Sequence, residues 1–427
     1  MRHLITAFCW CAVAAGAAVP VAFAVQGQQF VSTPRLMLLG AAPAAIAALA
    51  LLALWRGQAA RSLFAIYAAA LGVALLGVEL YLRVPEATPA GRGGSHDAAA
   101  ALRAEGVRAY PHFCGSMVEA AKPIIVDGRP AQPVAGMSRN LLTPELPDRG
   151  RWRFTDRHGF NNPDGQWDLP GPAVMAVGDS FTFGADVPIG RGFVDRLRER
   201  AGKTLNLGCG GNGPLLELAG LAEFGPPVRP ARVLWVFYEG NDLTKDLDDE
   251  LTSAILPQYL KPGFTQNLAT RQPALDLAIE ALLKTYLGAP VPAPAPGAAV
   301  ALNRSVLTLE FLRTSLGLRH RVRADMLGQF EAVLRRAKDI VASWNGSLIL
   351  VYLPAQTRYT TALGQWDAEA YARQVKSVAD RLHIPVIDVA AAVGRHADPN
   401  SLYQGHFNEA GYALVAETIL ASASMKP

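Results

Sequence analysis

Val174-Met175-Ala176-Val177-Gly178-Asp179-Ser180-Phe181-Thr182-Phe183-Gly184 opens with four apolar residues and passes directly into a glycine, an acid and a serine. A short, wholly apolar run is the pattern of a strand buried on both faces, so Gly-Asp-Ser falls in the loop at its carboxyl end. Further apolar runs follow at 204–207, 233–237, 347–352 and 385–389, and helical patterns occupy 193–201, 326–344, 368–382 and the residues after Asn408. In the second helix Met326, Phe330, Val333, Ala337, Ile340 and Val341 share a face by three- and four-residue steps, while Arg335, Arg336 and Asp339 project elsewhere. Near-continuous apolar strands joined by crossover helices predict an α/β fold: a flavodoxin-like, doubly wound parallel five-stranded sheet over 172–427.

Three loop motifs lie at the carboxyl edge of that sheet: Gly178-Asp179-Ser180, Asn206-Leu207-Gly208-Cys209-Gly210-Gly211, and Gly240-Asn241-Asp242. Ligands of such sheets bind outside that edge, where the strand order reverses. With a 2-1-3-4-5 order, Ser180 and Asn241 become neighbours. His406-Phe407-Asn408 precedes the last helix. A serine hydroxyl is a weak nucleophile without a base at hydrogen-bonding distance, and His406 is the candidate. Acyl transfer also needs donors aimed at a developing oxyanion. The Ser180 N–H, the Gly211 N–H and the Asn241 amide are the candidates.

These motifs, in this order, resemble the SGNH (GDSL) hydrolases, serine esterases, lipases and carbohydrate acyl-esterases on a flavodoxin-like sheet. The resemblance runs from 173 to about 424 and places the four signature positions on Ser180, Gly211, Asn241 and His406. One departure stands out. The family usually sets an aspartate two or three residues before the histidine to orient it, and here those positions hold Gln404 and Tyr403. The nearest upstream acid, Asp398, also fits a turn with Pro399 and Asn400. The imidazole must then be oriented by a backbone carbonyl, by Gln404, or by an acid from elsewhere. A Ser180–His406 dyad is the first reading. The resemblance implies an esterase acting on O-acyl groups, with acetyl groups on an envelope or extracellular polysaccharide as the leading substrate and no cofactor. The alternatives are an O-acyltransferase that passes the acyl group to a sugar hydroxyl, and a non-catalytic polysaccharide-export scaffold.

The 427 residues are 51% hydrophobic and 18% charged, too apolar for an ordinary soluble chain, and the net charge of +4 is spread out, which argues against nucleic acid as a partner. Apolar runs at 4–25, 36–55 and 63–82 are each about 30 Å long as helices, enough to span a bilayer. The lipid bilayer is therefore an expected partner. Glu79, the one formal charge within them, is placed near the headgroups. A first run that is instead a cleaved signal, with Ala22-Phe23-Ala24 as a small-x-small site, would still leave the C-terminal region exported. Residues 84–100 read as a linker and 101–171 as an irregular lead-in, in which 153–161 is either a short hairpin covering the sheet or a wall of the site. An insertion at 246–324 contains an apolar helix face at 273–287 and a Pro/Ala tract; it reads as a surface subdomain, with a lid or a bilayer-lying helix as alternatives. Four cysteines, two of them in the first apolar run, exclude a disulfide scaffold. Cys114 and Cys209 can pair, or Cys209 can simply pack in its loop. His112, His158, His320, His383 and His396 lack the spacing of metal ligands, and no metal site is expected; Asp388 reads as a loop cap.

Arg2 precedes the first run, Arg56 and Arg61 lie between the second and third, and only Arg35 stands near the other loop. The excess of basic residues on one side places the N-terminus in the cytoplasm and the C-terminal domain on the periplasmic side of a bacterial inner membrane. A reporter active only outside that membrane should be active when fused at Pro427 and silent when fused near Gln58. The opposite pattern would reverse the orientation.

Overall fold

The computed structural model describes residues 2–25, 36–83, 93–120, 122–142, 153–171, 173–288, 306, 309–318 and 325–425. The chain divides into two compact units: Met1–Thr88 with Pro292–Ala324 and Thr357–Gln374, and Pro89–Val291 with Asp325–Gln356 and Val375–Pro427.

The first unit holds three helices, α1 (Arg2–Val25), α2 (Ala42–Arg56, entered through a π-helical turn at Met37–Ala41) and α3 (Gln58–Leu82). All three are long and apolar enough to cross a membrane, with mean hydropathies of 2.0, 2.3 and 2.1. Small residues let α1 and α2 approach closely: a Cβ on Gly16 would lie 2.5 Å from the Pro43 carbonyl oxygen. Gly57 makes the turn into α3 at φ +101, a conformation that disfavours side chains. Glu79 is fully buried near the end of α3. It pairs with Arg83 at 2.9 Å and accepts the N–H groups of Phe311 (3.2 Å) and Leu312 (2.9 Å). A carboxylate expected at the headgroups is thus a buried anchor that holds the returning end of the insertion. The Pro/Ala tract of that insertion lies outside the described residues.

The second unit is built on five parallel strands, β1 (Val174–Val177), β2 (Thr204–Asn206), β3 (Arg232–Tyr238), β4 (Ser347–Leu353) and β5 (Val386–Asp388). Their order is β2-β1-β3-β4-β5, all parallel. The fold is the expected doubly wound one, and the reversal of strand order falls at β1. Helices α4 (Phe193–Ala201) and α9 (Glu409–Ala421) pack together, as do α5 (Pro214–Val228) and α7 (Met326–Ala342). Between α5 and α7 in the chain lies α6 (Gln272–Gly288), and α8 (Ala362–Arg381) precedes β5. The burial of α7 follows its periodic face. Helix α5 was not legible as a helix because it is buried nearly all round, so it has no polar stripe to give a 3.6-residue period.

Residues 84–100 were read as a linker, yet a helix begins within them and runs Gly93–Ala104, carried by an alanine run of high helix propensity. The lead-in is otherwise irregular, with short hairpins pairing Ile124–Val126 with Arg129–Ala131 and Leu141–Leu142 with Arg153–Phe154. Helix α6 of the insertion packs on it: Ile279 and Leu283 join Tyr110, Phe113 and Met137 in one cluster. Buried Asp276 accepts the Ser138 N–H and the Arg108 guanidinium, both at 2.8 Å. Asp276→Ala should cost about 2 kcal/mol in a denaturant melt, because it removes the acceptor of the partly buried Ser138 N–H and of the Arg108 guanidinium. A loss under about 1 kcal/mol would mean that the apolar face alone holds α6.

Candidate active site

The site starts from β1. Its last residue leads into Gly178, where a Cβ would meet Thr182 Oγ1 at 2.1 Å, so the chain can turn tightly there only without a side chain. Asp179 caps the one-turn helix Ser180–Phe183 by accepting the Phe181 N–H at 2.9 Å, and Gly184 ends it in a left-handed conformation. Ser180 is thereby fixed at the carboxyl edge of β1, between β2 and β3 in the sheet. Its Oγ lies 2.8 Å from Nε2 of His406.

His406 sits in a two-residue hairpin, Tyr403–Gln404 against His406–Phe407. Aromatic packing holds it: Phe181 meets the imidazole edge-on at 4.8 Å, Phe407 meets Phe181 at 5.4 Å, and the Tyr403 hydroxyl donates to the Pro354 carbonyl. Nδ1 of the imidazole is 2.8 Å from Oδ2 of Asp186. The orienting carboxylate therefore exists, and it comes from the nucleophile loop, six residues after Ser180. The dyad reading is corrected to a serine-histidine-aspartate line. Asp398 does not reach the imidazole; it caps the turn Pro399–Leu402 by accepting the N–H groups of Asn400 and Ser401. Gln404 acts one step back, its amide donating to the Asp186 carbonyl. The Tyr412 hydroxyl donates to the neighbouring Ala185 carbonyl at 3.2 Å. Asp186 has φ +63, and a Cβ on Gly405 would come within 3.2 Å of its carboxylate. Sequence reading missed Asp186 because it looked near the histidine, whereas the acid was already in the serine's own loop.

Two oxyanion candidates lie on neighbouring loops at the same edge. Gly211 is on the loop after β2 and Asn241 on the loop after β3, the strands flanking β1. The first loop is bound to the nucleophile loop: Cys209 N–H donates to the Gly178 carbonyl (3.2 Å), Asn206 Nδ2 to the Thr182 carbonyl (2.7 Å), and a Cβ on Gly208 would lie 2.5 Å from Phe183 N. A Cβ on Gly210 would be 4.0 Å from Ser180 Cβ and from the His112 ring. The Asn241 carbonyl accepts the N–H groups of Thr244, Lys245 and Asp246, fixing the turn that carries its amide.

Lead-in residues reach this edge. Cys114 and Cys209 form a disulfide, and Ser116 Oγ donates to the Gly210 carbonyl at 2.6 Å. His112 stacks on Phe183 at 4.2 Å, and burial first, then the Arg153 charge, push its pKa down to about 4, leaving it neutral at neutral pH. Arg153 lies over the Phe183 ring and donates to the Val187 carbonyl, so the 153–161 segment braces the loop that carries Ser180. Among the described residues the one cluster of potential metal ligands is His112, Cys114 and Cys209, whose sulfurs are taken by the disulfide.

Beneath the loops lies a layer of buried acids. Glu250 caps α5 by accepting the Gly213 and Leu215 N–H groups, each at 2.7 Å. Asp242 accepts the Tyr238 N–H, while both carboxylate oxygens of Glu217 lack a hydrogen-bond partner among the described residues. Burial, reinforced by the neighbouring acids, holds Asp242 and Glu217 well above the usual carboxylate range.

Ser180, His406 and Asp186 thus form a hydrogen-bonded line at the switch point of an open parallel α/β sheet. Residues 176–414, more than half of the chain, match the GDSL-like lipase/acylhydrolase family, and the chain belongs to it. Solved structures similar to it include a lipolytic G-D-S-L protein from Veillonella parvula (16% identity, TM-score 0.33, covering 60% of this chain and 100% of that one). A lipase/acylhydrolase from Enterococcus faecalis gives 15%, 0.33, 58% and 94%, and the esterase EstA from a Pseudoalteromonas species 10%, 0.32, 60% and 97%, in the same order. No match was found among functionally curated proteins.

Burial raises Asp179 to about 7, above the 3.9 typical of an unfolded chain. Its protonated form is favoured by folding, so its contribution is complete below about pH 4 and is lost as pH rises through about 7. Asp179→Asn should therefore gain in Tm relative to wild type as pH is raised from 5 to 8. A difference that stays flat across that range would show that Asp179 is ionised in the folded protein.

Proposed function

We propose that the protein is a membrane-anchored serine esterase whose catalytic unit lies on the outer face of a bacterial inner membrane and removes O-acyl groups, foremost acetyl esters on envelope or extracellular glycans. The observation that carries this reading is the hydrogen-bonded line from Ser180 through His406 to Asp186. His406 Nε2 takes the proton as Ser180 Oγ adds to the acyl carbon; the N–H groups of Ser180 and Gly211 and the Asn241 amide receive the oxyanion. The protonated imidazole then protonates the departing alkoxide, leaving an acyl-Ser180 ester that water, deprotonated by His406, hydrolyses. Asp186 keeps the proton on Nδ1 and stabilises the imidazolium. The intact line speaks against a non-catalytic scaffold. Export is supported by the loop charges and by a disulfide, a bond that persists in oxidising compartments.

The test uses the full chain in detergent. A fluorophosphonate probe should label the wild type and leave Ser180→Ala unlabelled. With p-nitrophenyl acetate, Asp186→Asn should lower kcat by about 10,000-fold, as expected for a wrongly held tautomer, while Asp398→Asn stays within about threefold. Labelling that survives Ser180→Ala would end the serine-esterase reading, and a nearly unaffected Asp186→Asn would return it to a dyad.

A further inference from the structure

The loop that offers Gly211 is unusually poor in side chains: Gly208, Gly210, Gly211 and Gly213 alternate with Cys209 and Asn212. The glycines are sterically required in part, since a Cβ on Gly208 would lie 2.5 Å from Phe183 N and one on Gly213 2.6 Å from Asp246 Cβ, while Gly211 adopts φ +71. Such a chain has more backbone freedom to lose than any other. An oxyanion donor is useful only when already aimed at the oxygen as it becomes charged, because a donor that must reorganise returns part of its stabilisation. Something outside the loop has to hold it.

The lead-in supplies that hold. Cys114, 95 residues upstream, is bonded to Cys209, and Ser116 Oγ closes at 2.6 Å on the Gly210 carbonyl, which belongs to the same peptide group as the Gly211 N–H. Asn212 Nδ2 donates to the Val134 carbonyl at 3.0 Å, a third tie to the same segment. Both cysteines are 1% exposed, and the His112 imidazole covers the bond with Nε2 3.0 Å from Cys114 Sγ. Cys209 lies within the loop motif that ends in Gly211, whereas Cys114 belongs to none of the motifs.

We propose that the Cys114–Cys209 disulfide, seconded by Ser116, is a positioning device of the acyl-transfer site that fixes the Gly211 N–H as an oxyanion donor. This rests on the esterase reading. A bond that only stabilised the fold would leave the turnover of folded protein unchanged; one that aims a donor acts on the transition state and lowers kcat with little effect on KM.

The experiment measures p-nitrophenyl acetate kinetics and fluorophosphonate labelling rates on the full chain in detergent, comparing wild type, the double variant Cys114→Ala/Cys209→Ala, and Ser116→Ala. Near-UV circular dichroism establishes that each is folded. The double variant should lose about 10- to 100-fold in kcat, with KM within about threefold and labelling slowed in proportion, since one oxyanion donor is worth about 100- to 1000-fold. Ser116→Ala, which keeps the disulfide, should lose about three- to tenfold in kcat, and it carries the test if the double variant does not fold. Folded variants that retain kcat within twofold, or that change only KM, overturn the proposal. Turnover by wild type that is abolished in Ser180→Ala separates the two claims: without it the esterase reading falls and takes this one with it, whereas with it a normal double variant defeats the disulfide's role alone.

Discussion

Asp186 reaches His406 from a backbone that turns left-handed at φ +63, two residues past the glycine that ends the helix carrying Ser180. That conformation is costly for a residue with a side chain, and aspartate is among the few that tolerate it. It is over-determined from outside. The Gln404 amide and the Tyr412 hydroxyl take the carbonyls of Asp186 and Ala185, while Gly405 leaves room for the carboxylate. The hairpin that presents the histidine thus also holds the acid, and Ser180, His406 and Asp186 are placed by one reversal of the chain and one short ladder.

The same economy shows in the layer below. Asp179 caps the helix carrying Ser180, Asp242 accepts the N–H of Tyr238 at the end of β3, and Glu250 caps α5. Acids serve here as backbone acceptors at loop and helix ends, where N–H groups have no partner of their own. Gathered in a buried volume they repel one another, and burial raises them together, so the loops around the nucleophile are held best when these groups bind protons.

In the membrane unit a buried carboxylate again organises backbone: Glu79 joins the end of α3 to the segment returning from the insertion. The other half of that insertion, α6, is part of the catalytic unit through Asp276 and the cluster around Phe113. The insertion is divided between the two units rather than forming a separate subdomain.

Wherever a signal was local, the sequence determined the outcome. Three apolar runs of bilayer length became three long helices, short apolar runs became parallel strands, and Gly-Asp-Ser, Gly211, Asn241 and His406 arrived at the carboxyl edge, because side-chain transfer energies and strand-loop-helix order act over a few residues. Helix α5 escaped notice because complete burial erases periodicity. Asp186 escaped for a different reason, and the same reason left the Cys114–Cys209 pairing open. Each depends on a distance between residues that the chain does not place side by side: 95 positions separate Cys114 from Cys209, and 220 separate Asp186 from His406. Nothing in local composition distinguishes Asp186 from a solvated loop acid, or the amide of Gln404 from a neutral substitute for a missing carboxylate. Only the packing of the hairpin against the nucleophile loop decided which acid would face the imidazole, because hydrogen bonding depends on geometry in space and not on separation along the chain.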